Sequence, residues 1–196
     1  MTNVETFRPR SNLIMGVITI LMSLMMVVSI NTQGNQRDTL VAAVWAIAIS
    51  SMAHLVFIRP KVILFDEGIT IINPFLTITT GWDLVENIEA KFTMSIQVAD
   101  KVIYAWAAPA PSRYHSRSIH ETDLRGMRIG SEGMIRPGES PRSHSGAATY
   151  LARTKLENFR NQNLTGIASS VSYNSSGVAL LLGSLLTAIA LTYVQF

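Results

Sequence analysis

The sequence predicts a membrane protein that combines α-helical spans with an all-β domain. Three uncharged apolar segments are each long enough to cross a bilayer, and short alternating segments typical of strands follow the second of them. Charged residues make up 15% of the 196 residues, against roughly 25% in an average soluble domain. We therefore expect three transmembrane helices and a small antiparallel meander or β-barrel with a C-terminal helix.

The three predicted spans cover residues 12–30, 40–58 and 177–194, and none contains Asp, Glu, Lys or Arg. The first follows a basic flank, as a signal peptide does. Its apolar stretch is longer than the roughly 7–15 residues of a signal peptide, and no small-residue cleavage site follows. We expect this segment to be a retained helix that forms a hairpin with the second span.

Basic residues flanking the spans predict their orientation. They precede the first span, follow the second and precede the third (Arg8, Arg10, Arg59, Lys61, Arg153, Lys155, Arg160). Lys and Arg are enriched in cytoplasmic loops. This bias predicts a multi-pass protein of the inner (plasma) membrane, with the N-terminus and the β-domain in the cytoplasm and the C-terminus outside.

From residue 61 onward the apolar period becomes two, which is typical of strands. The segments KVILF, ITII, FLTITTGW, ENIEAKF, MSIQVA and KVIYAWA predict six strands. Asp66-Glu67-Gly68 predicts a three-residue hairpin turn closed by a left-handed glycine. Asn73-Pro74 should end the second strand, because proline cannot donate to a ladder. Alternation places three sets of side chains on common faces (Ile88, Ala90 and Phe92; Met94, Ile96 and Val98; Val102, Tyr104 and Trp106).

The segment after the strands is rich in Pro, Ser, Gly and Arg, and its low apolar content predicts a flexible basic loop, with one possible edge strand at GMRIG. Helical spacing then returns, with Ser145 as the expected N-cap and one apolar stripe (Ala148, Leu151, Lys155, Phe159). The predicted organisation is an N-terminus at 1–11, a helical hairpin at 12–58, a β-domain core at 59–107, a loop at 108–146, an amphipathic helix at 147–160, a linker at 161–176 and the third span at 177–194.

Several short motifs resemble a bacterial pleckstrin-homology-like (PH-like) family of small integral membrane proteins, found largely in actinobacteria. They are Arg59-Pro60, Gly68, Asn73-Pro74, Trp82, Val85, Ile88 and Ala105-Trp106-Ala107, preceded by the two-helix hairpin. The resemblance implies a curved seven-stranded barrel plugged by a C-terminal helix, and the third span is less typical of it. PH domains that bind phosphoinositides present Lys and Arg at the first hairpin. The acidic pair Asp66-Glu67 argues against that activity here.

Candidate contact residues fall into three groups. Basic residues after the second span and in the loop are candidate lipid or partner contacts (Arg59, Lys61, Arg113, Arg117, Arg125, Arg128). One small residue every four along the third span favours close helix packing (Ala179, Gly183, Thr187). His54 is a titratable group within a predicted span, which makes it a functional candidate.

The sequence offers little sign of chemistry. The polar cluster His115, His120, Glu121 and Asp123 matches no zinc template well, so we expect no metal or cofactor. The absence of cysteine excludes disulfides, thiolate metal sites and cysteine nucleophiles, and no phosphate-binding or hydrolase motif is found. A net charge of +3 without a long basic run argues against nucleic-acid binding.

The sequence is compatible with three functions. The first is a non-enzymatic accessory or scaffold subunit of a larger membrane assembly, with membrane lipids and a membrane-protein partner as its contacts. The second is a lipid-binding or envelope-sensing module at the membrane surface. The third is an enzyme or transporter, which no motif in the sequence requires.

Overall fold

The computed structural model describes residues 2–109 and 143–193. Internal contacts divide the chain into two units. The helical unit comprises the described residues within Arg10–Arg59, Pro74–Leu76 and Tyr173–Phe196. The β-domain comprises those within Met1–Pro9, Pro60–Asn73 and Thr77–Ser172. The chain therefore passes between the two units several times, and each unit is assembled from non-contiguous segments.

Four α-helices lie in the described residues: α1 (Arg10–Gln33), α2 (Gln36–Ala53), α3 (His144–Gln162) and α4 (Ser175–Tyr193). A π-helical turn, His54–Ile58, extends α2. This extended α2, α1 and α4 are long and apolar enough to span a membrane, as the sequence predicts. The fourth helix, α3, belongs to the β-domain.

Small residues bring α1 and α2 together in the helical hairpin. The hydroxyls of Ser23 and Ser50 lie 3.0 Å apart and share a hydrogen bond. Ala42, Ala46 and Ala53 are buried on α2. A side chain at Gly16 would lie 2.6 Å from Ile58 Cγ1, so the glycine permits close approach. This interface follows the rule that small and weakly polar residues pack helices within a bilayer.

The described part of the β-domain contains eight strands: β1 (Glu5–Phe7), β2 (Lys61–Phe65), β3 (Gly68–Ile72), β4 (Leu76–Gly81), β5 (Val85–Ala90), β6 (Thr93–Val98), β7 (Lys101–Pro109) and β8 (Ser170–Tyr173). One sheet has the order β1-β2-β3-β4-β8 and the other β5-β6-β7. The pairs β1–β2, β2–β3, β3–β4, β5–β6 and β6–β7 are antiparallel. The six predicted strands overlap β2 to β7, whereas β1 and β8 lie in segments expected to be a tail and a linker.

The first hairpin differs from the expected geometry. Phe65 pairs with Gly68, so Asp66-Glu67 is a two-residue turn rather than a three-residue one. Gly68 does not adopt a left-handed conformation. Its role is steric, because a Cβ atom there would overlap the carbonyl oxygen of Thr80 and approach Gly81 Cα to 3.2 Å. The glycine is required by the close neighbour strand, not by the turn.

The core of the β-domain lies between the sheets and α3. Ala148, Ala152, Leu156 and Phe159 of α3 pack on buried residues of both sheets. All four residues of the predicted stripe are buried or packed against this core. The N-cap is Ser143 instead of Ser145, since Ser143 Oγ accepts from Gly146 N at 2.9 Å. Ser145 is the second residue of α3 and is fully buried.

Trp82 is the largest fully buried side chain among the described residues, and it belongs to this core. Its indole Nε1 donates to the carbonyl oxygen of Phe65 at 2.8 Å, which satisfies a buried acceptor at the end of β2. By contrast, Phe92 is 77% exposed in the turn between β5 and β6. The strand ends at Ala90, so the alternation that placed Phe92 beside Ile88 and Ala90 stops before it.

Candidate interaction surface

A strip of large apolar side chains lies open on β7. Val102, Tyr104 and Trp106 are 50%, 58% and 55% exposed. Alternation along β7 sends the small residue Ala105 into the core, where it is fully buried. The three side chains share one face as the sequence predicts, but it is the outer face. We refer to Val102, Tyr104 and Trp106 as the β7 strip.

Polar residues border the β7 strip on the neighbouring strands. The register places Gln97 opposite Val102 and Ser95 opposite Tyr104. On β5, Asn87 pairs with Gln97 and Glu89 with Ser95, and the amide of Asn87 donates to Glu89 Oε1 at 3.1 Å. An apolar centre with a polar, mostly uncharged rim is the usual composition of a protein interface.

Asn73 holds the strip in place. Its side-chain Nδ2 donates to the carbonyl oxygen of Tyr104 at 2.8 Å, and its Oδ1 accepts from Trp106 N at 2.9 Å. The amide thus pairs with two backbone groups of β7, much as a neighbouring strand would. Asn73 follows the last residue of β3, so this contact joins the end of the central strand of the first sheet to β7, an edge strand of the second.

The pairing of β7 with β6 is interrupted by a bulge between Tyr104 and Pro109. Thr93 pairs with Pro109 and Ser95 with Tyr104, so extra residues of β7 bulge out of the ladder. Thr93 Oγ1 lies 2.7 Å from the carbonyl oxygen of Ala105 and 2.8 Å from that of Ala108, and its single proton can serve one of them at a time. Bulges at sheet edges change the direction in which side chains point. Trp106 lies within this bulge, and its side chain points outward.

The basic residues that follow α2 are partly buried. Arg59 Nη1 donates to the carbonyl oxygen of Pro74 at 3.2 Å, and Asn174 Nδ2 donates to the same oxygen at 3.4 Å. Partial burial lowers the pKa of the Arg59 guanidinium from its ordinary value. Lys61 is half-buried at the start of β2. Arg59 therefore has a structural contact in the helical unit, and its predicted lipid contact stays a prediction.

His54 begins the π-helical turn at the end of α2 and is exposed. Its carbonyl oxygen accepts from Arg59 N at 2.8 Å. Such π-helical turns are often found at functional sites. The structure thus places the His54 side chain on an open face of the helical unit.

The small-residue stripe of α4 also lies on an open face. Ala179, Gly183 and Thr187 are exposed, and a Cβ atom at Gly183 would meet nothing within 4 Å. Within this chain α4 buries a different face, through Leu181 and Ala188. The stripe is therefore not the surface by which α4 packs inside the helical unit.

Several predicted contacts fall outside the described residues. They are the loop arginines, the candidate edge strand and the polar cluster of the loop (Arg113, Arg117, Arg125, Arg128; GMRIG; His115, His120, Glu121, Asp123). Among residues 2–109 and 143–193, no group of three or more His, Asp or Glu side chains is placed to hold a metal ion.

The acidic first hairpin is tied into the β-domain by hydrogen bonds. Lys155 Nζ donates to Asp66 Oδ1 at 2.9 Å and to the carbonyl oxygen of Asn3 at 3.0 Å. The hydrogen bond from Lys155 is the largest cause that lowers the pKa of Asp66; burial opposes it, and the charge of Lys155 adds to the lowering. Burial would raise the pKa of Glu67, but hydrogen bonds from its own backbone and from Thr2 lower it overall.

Asp66 should give the β-domain a stability that depends on pH. Because the folded protein lowers the pKa of Asp66 from 3.8, its contribution is present above that value and is lost as pH falls through the lower folded pKa. We expect Asp66→Asn to reduce the loss of stability in this acid range. Urea unfolding of the full-length wild type and variant in mild detergent, followed between pH 5 and pH 2, measures this. Parallel pH profiles would contradict the assignment.

The three apolar helices, together with the β-domain, define a multi-pass membrane protein that carries a domain of two antiparallel sheets and one helix. Comparison with known protein families, with curated proteins and with solved structures finds no match to this chain.

Proposed function

We propose that this chain is a non-enzymatic accessory or scaffold subunit of a larger bacterial inner-membrane assembly. The observation that carries the proposal is the β7 strip, in which two aromatic residues and a valine are each at least half exposed. Exposed apolar patches with polar rims mark interaction sites on soluble domains. Tyr and Trp are also the residue types that contribute most to protein interfaces.

We further propose that the β-domain is a PH-like barrel. Three features support this interpretation: two small antiparallel sheets, a helix that packs its apolar face between them, and the Asn73 amide that joins β3 to β7. Asn73 and Trp106 both belong to the motifs that resemble the actinobacterial family. The hydrogen bond between them would explain why both motifs occur in the same domain.

The proposed orientation places the N-terminus and the β-domain in the cytoplasm and the C-terminus outside. Arg8, Arg10, Arg59 and Lys61 flank the first two spans on one side, whereas the segment between the two predicted spans, residues 31–39, carries only Arg37, followed by Asp38. This bias supports the orientation through the enrichment of basic residues in cytoplasmic segments. The β7 strip would then face cytoplasmic partners or the cytoplasmic parts of a membrane assembly.

The test is affinity purification of the tagged full-length protein in mild detergent, with mass spectrometry of the proteins that accompany it. We expect a stoichiometric membrane-protein partner with the wild type and at least a roughly tenfold loss of it with Tyr104→Ser/Trp106→Ser, since hot-spot aromatics contribute about 2 kcal/mol or more each.

Tyr150→Ser is the matched control, because Tyr150 is 68% exposed on α3, a different element of the same domain. The control should keep the partner. A solitary wild-type protein, or a partner retained by the double variant, would refute an accessory role for the β7 strip.

Membrane-surface lipid binding or envelope sensing is the alternative. It rests on the basic residues near the spans, yet Arg59 already contacts Pro74, and the first hairpin turn is acidic. The full-length protein can be reconstituted into vesicles with and without anionic lipid. The difference in fluorescence between the wild type and Trp106→Phe isolates the signal of Trp106 from those of Trp45 and Trp82. A response that depends on anionic lipid, combined with no protein partner, would favour the alternative.

A further inference from the structure

The helical unit contains a cleft next to the α1–α2 loop. It is lined by the C-terminal part of α1, the N-terminal part of α2 and the C-terminal end of α4. Its volume is about 570 Å³. This lies in the range of roughly 300–1,000 Å³ found for small-molecule sites. Most of its wall is formed by apolar side chains from the three helices (Met26, Ile30, Val41, Ile49, Leu191).

The cleft has the depth of one membrane leaflet. Its lining residues on α2 run from Arg37 to Ile49, which corresponds to roughly 18 Å at a rise of about 1.5 Å per residue. The hydrocarbon core of a bilayer is about 30 Å thick, so one leaflet contributes roughly 15 Å. A groove of this length beside a loop therefore extends to about the bilayer midplane.

The charged residues of the cleft lie at its loop end. Arg37 and Asp38 lie in the first turn of α2. Trp45 Nε1 donates to Thr192 Oγ1 at 3.2 Å, and both residues line the cleft. The wall thus changes from charged to apolar along its length, as a phospholipid does.

The volume distinguishes between the two occupants that a membrane could supply. A transmembrane helix about 10 Å across fills roughly 1,400 Å³ over 18 Å of its length, more than twice the volume of the cleft. A single extended hydrocarbon chain is far thinner. The dimensions therefore favour a lipid chain over a helix from a partner protein.

We propose that this cleft binds one glycerophospholipid of the leaflet next to the α1–α2 loop, with an acyl chain between the three helices and the phosphate beside Arg37. The site is independent of the β7 strip and of the proposed accessory role. Its ligand would be an intrinsic component of the helical unit, retained when the protein leaves the membrane.

Native mass spectrometry of the full-length protein in mild detergent, with dioleoyl phosphatidylglycerol added, tests the acyl-chain site. Ala42→Phe and Val41→Phe each place a ring in the cleft, and we expect about tenfold weaker binding because the chain loses its apolar contacts. Ala179→Phe is the control, because Ala179 lies on the exposed face of α4 and does not line the cleft. It should bind like the wild type.

Two further measurements keep the proposal falsifiable if the filled variants fold poorly. A phosphatidylglycerol with a photoreactive acyl chain should cross-link the wild type at cleft residues such as Met26 or Leu191. Labelling spread evenly over exposed α1 and α4 positions would overturn the site. Arg37→Gln should weaken phosphatidylglycerol binding more than Arg10→Gln, a loss of the same charge at the opposite end of the hairpin. Equal effects would refute phosphate binding at Arg37.

Discussion

Replacement of Trp82 by alanine is expected to lower the free energy of unfolding of the β-domain by about 3–5 kcal/mol, the usual cost of truncating a buried tryptophan. The side chain is 1% exposed and packs within the cluster formed by both sheets and α3. The variant also leaves the carbonyl oxygen of Phe65 without its indole donor. Since small domains are stable by only about 5–15 kcal/mol, the variant domain should be close to unfolding.

Hydrogen–deuterium exchange of the full-length protein in mild detergent measures this change, because it reports on the β-domain separately from the helical unit. Amides of β3 should exchange at least a hundredfold faster, given about 1.4 kcal/mol per tenfold change. Trp106→Ala is the matched control. It makes the same chemical change at a side chain that is 55% exposed, and its effect should stay within about 0.5 kcal/mol. Equal effects of the two substitutions would refute the assignment of Trp82 to the core.

Trp82→Phe separates packing from hydrogen bonding. The phenyl ring keeps much of the apolar volume but cannot donate to Phe65. A buried carbonyl without a partner costs about 1–3 kcal/mol, so this variant should fall between the wild type and Trp82→Ala. A value equal to the wild type would mean that the hydrogen bond contributes little.

The sequence predicted the elements of this fold better than the directions of their side chains. The uncharged runs and the change of period at residue 61 identify helices and strands, because both depend on local pattern alone. The β7 strip shows the limit. Alternation grouped Val102, Tyr104 and Trp106 but could not reveal that α3 covers the alanine face, which is a tertiary contact. The run of alanines beside bulky aromatics was the available signal.

The short strand β1 and the contacts between residues distant in sequence could not be predicted from local patterns, for different physical reasons. Three residues of β1 are too few to display an alternation, and their strand character comes from pairing with β2. Gly68 was assigned to a turn, although the distant Thr80 explains it. Lys155 was correctly placed on the inward stripe of α3, but its partner Asp66 lies 89 positions away and could not be read from helical spacing.

Lys155→Glu should cost the β-domain about 3–5 kcal/mol or more, because a buried charge would lose its partner and meet like charges. The Lys155 side chain is 6% exposed, and its Nζ lies 2.9 Å from Asp66 Oδ1 and 3.5 Å from Glu5 Oε1. A glutamate would face two carboxylates and the carbonyl oxygen of Asn3, all of them acceptors. Faster exchange of amides in β1 and β2 would report the loss.

Two companion variants show whether repulsion between like charges or the loss of the ammonium's hydrogen bonds is responsible for that loss. Lys155→Met keeps the apolar stem and leaves Asp66 to water, since the Asp66 side chain is 27% exposed. Hydrophobic replacements of buried ion pairs are often neutral, so this variant should stay much closer to the wild type. The swap Lys155→Glu/Asp66→Lys should recover part of the stability, because it restores one opposite-charge pair. If Lys155→Glu and Lys155→Met were equally destabilised, the loss of the ammonium and its hydrogen bonds to Asp66 and Asn3, rather than repulsion between like charges, would account for the whole effect.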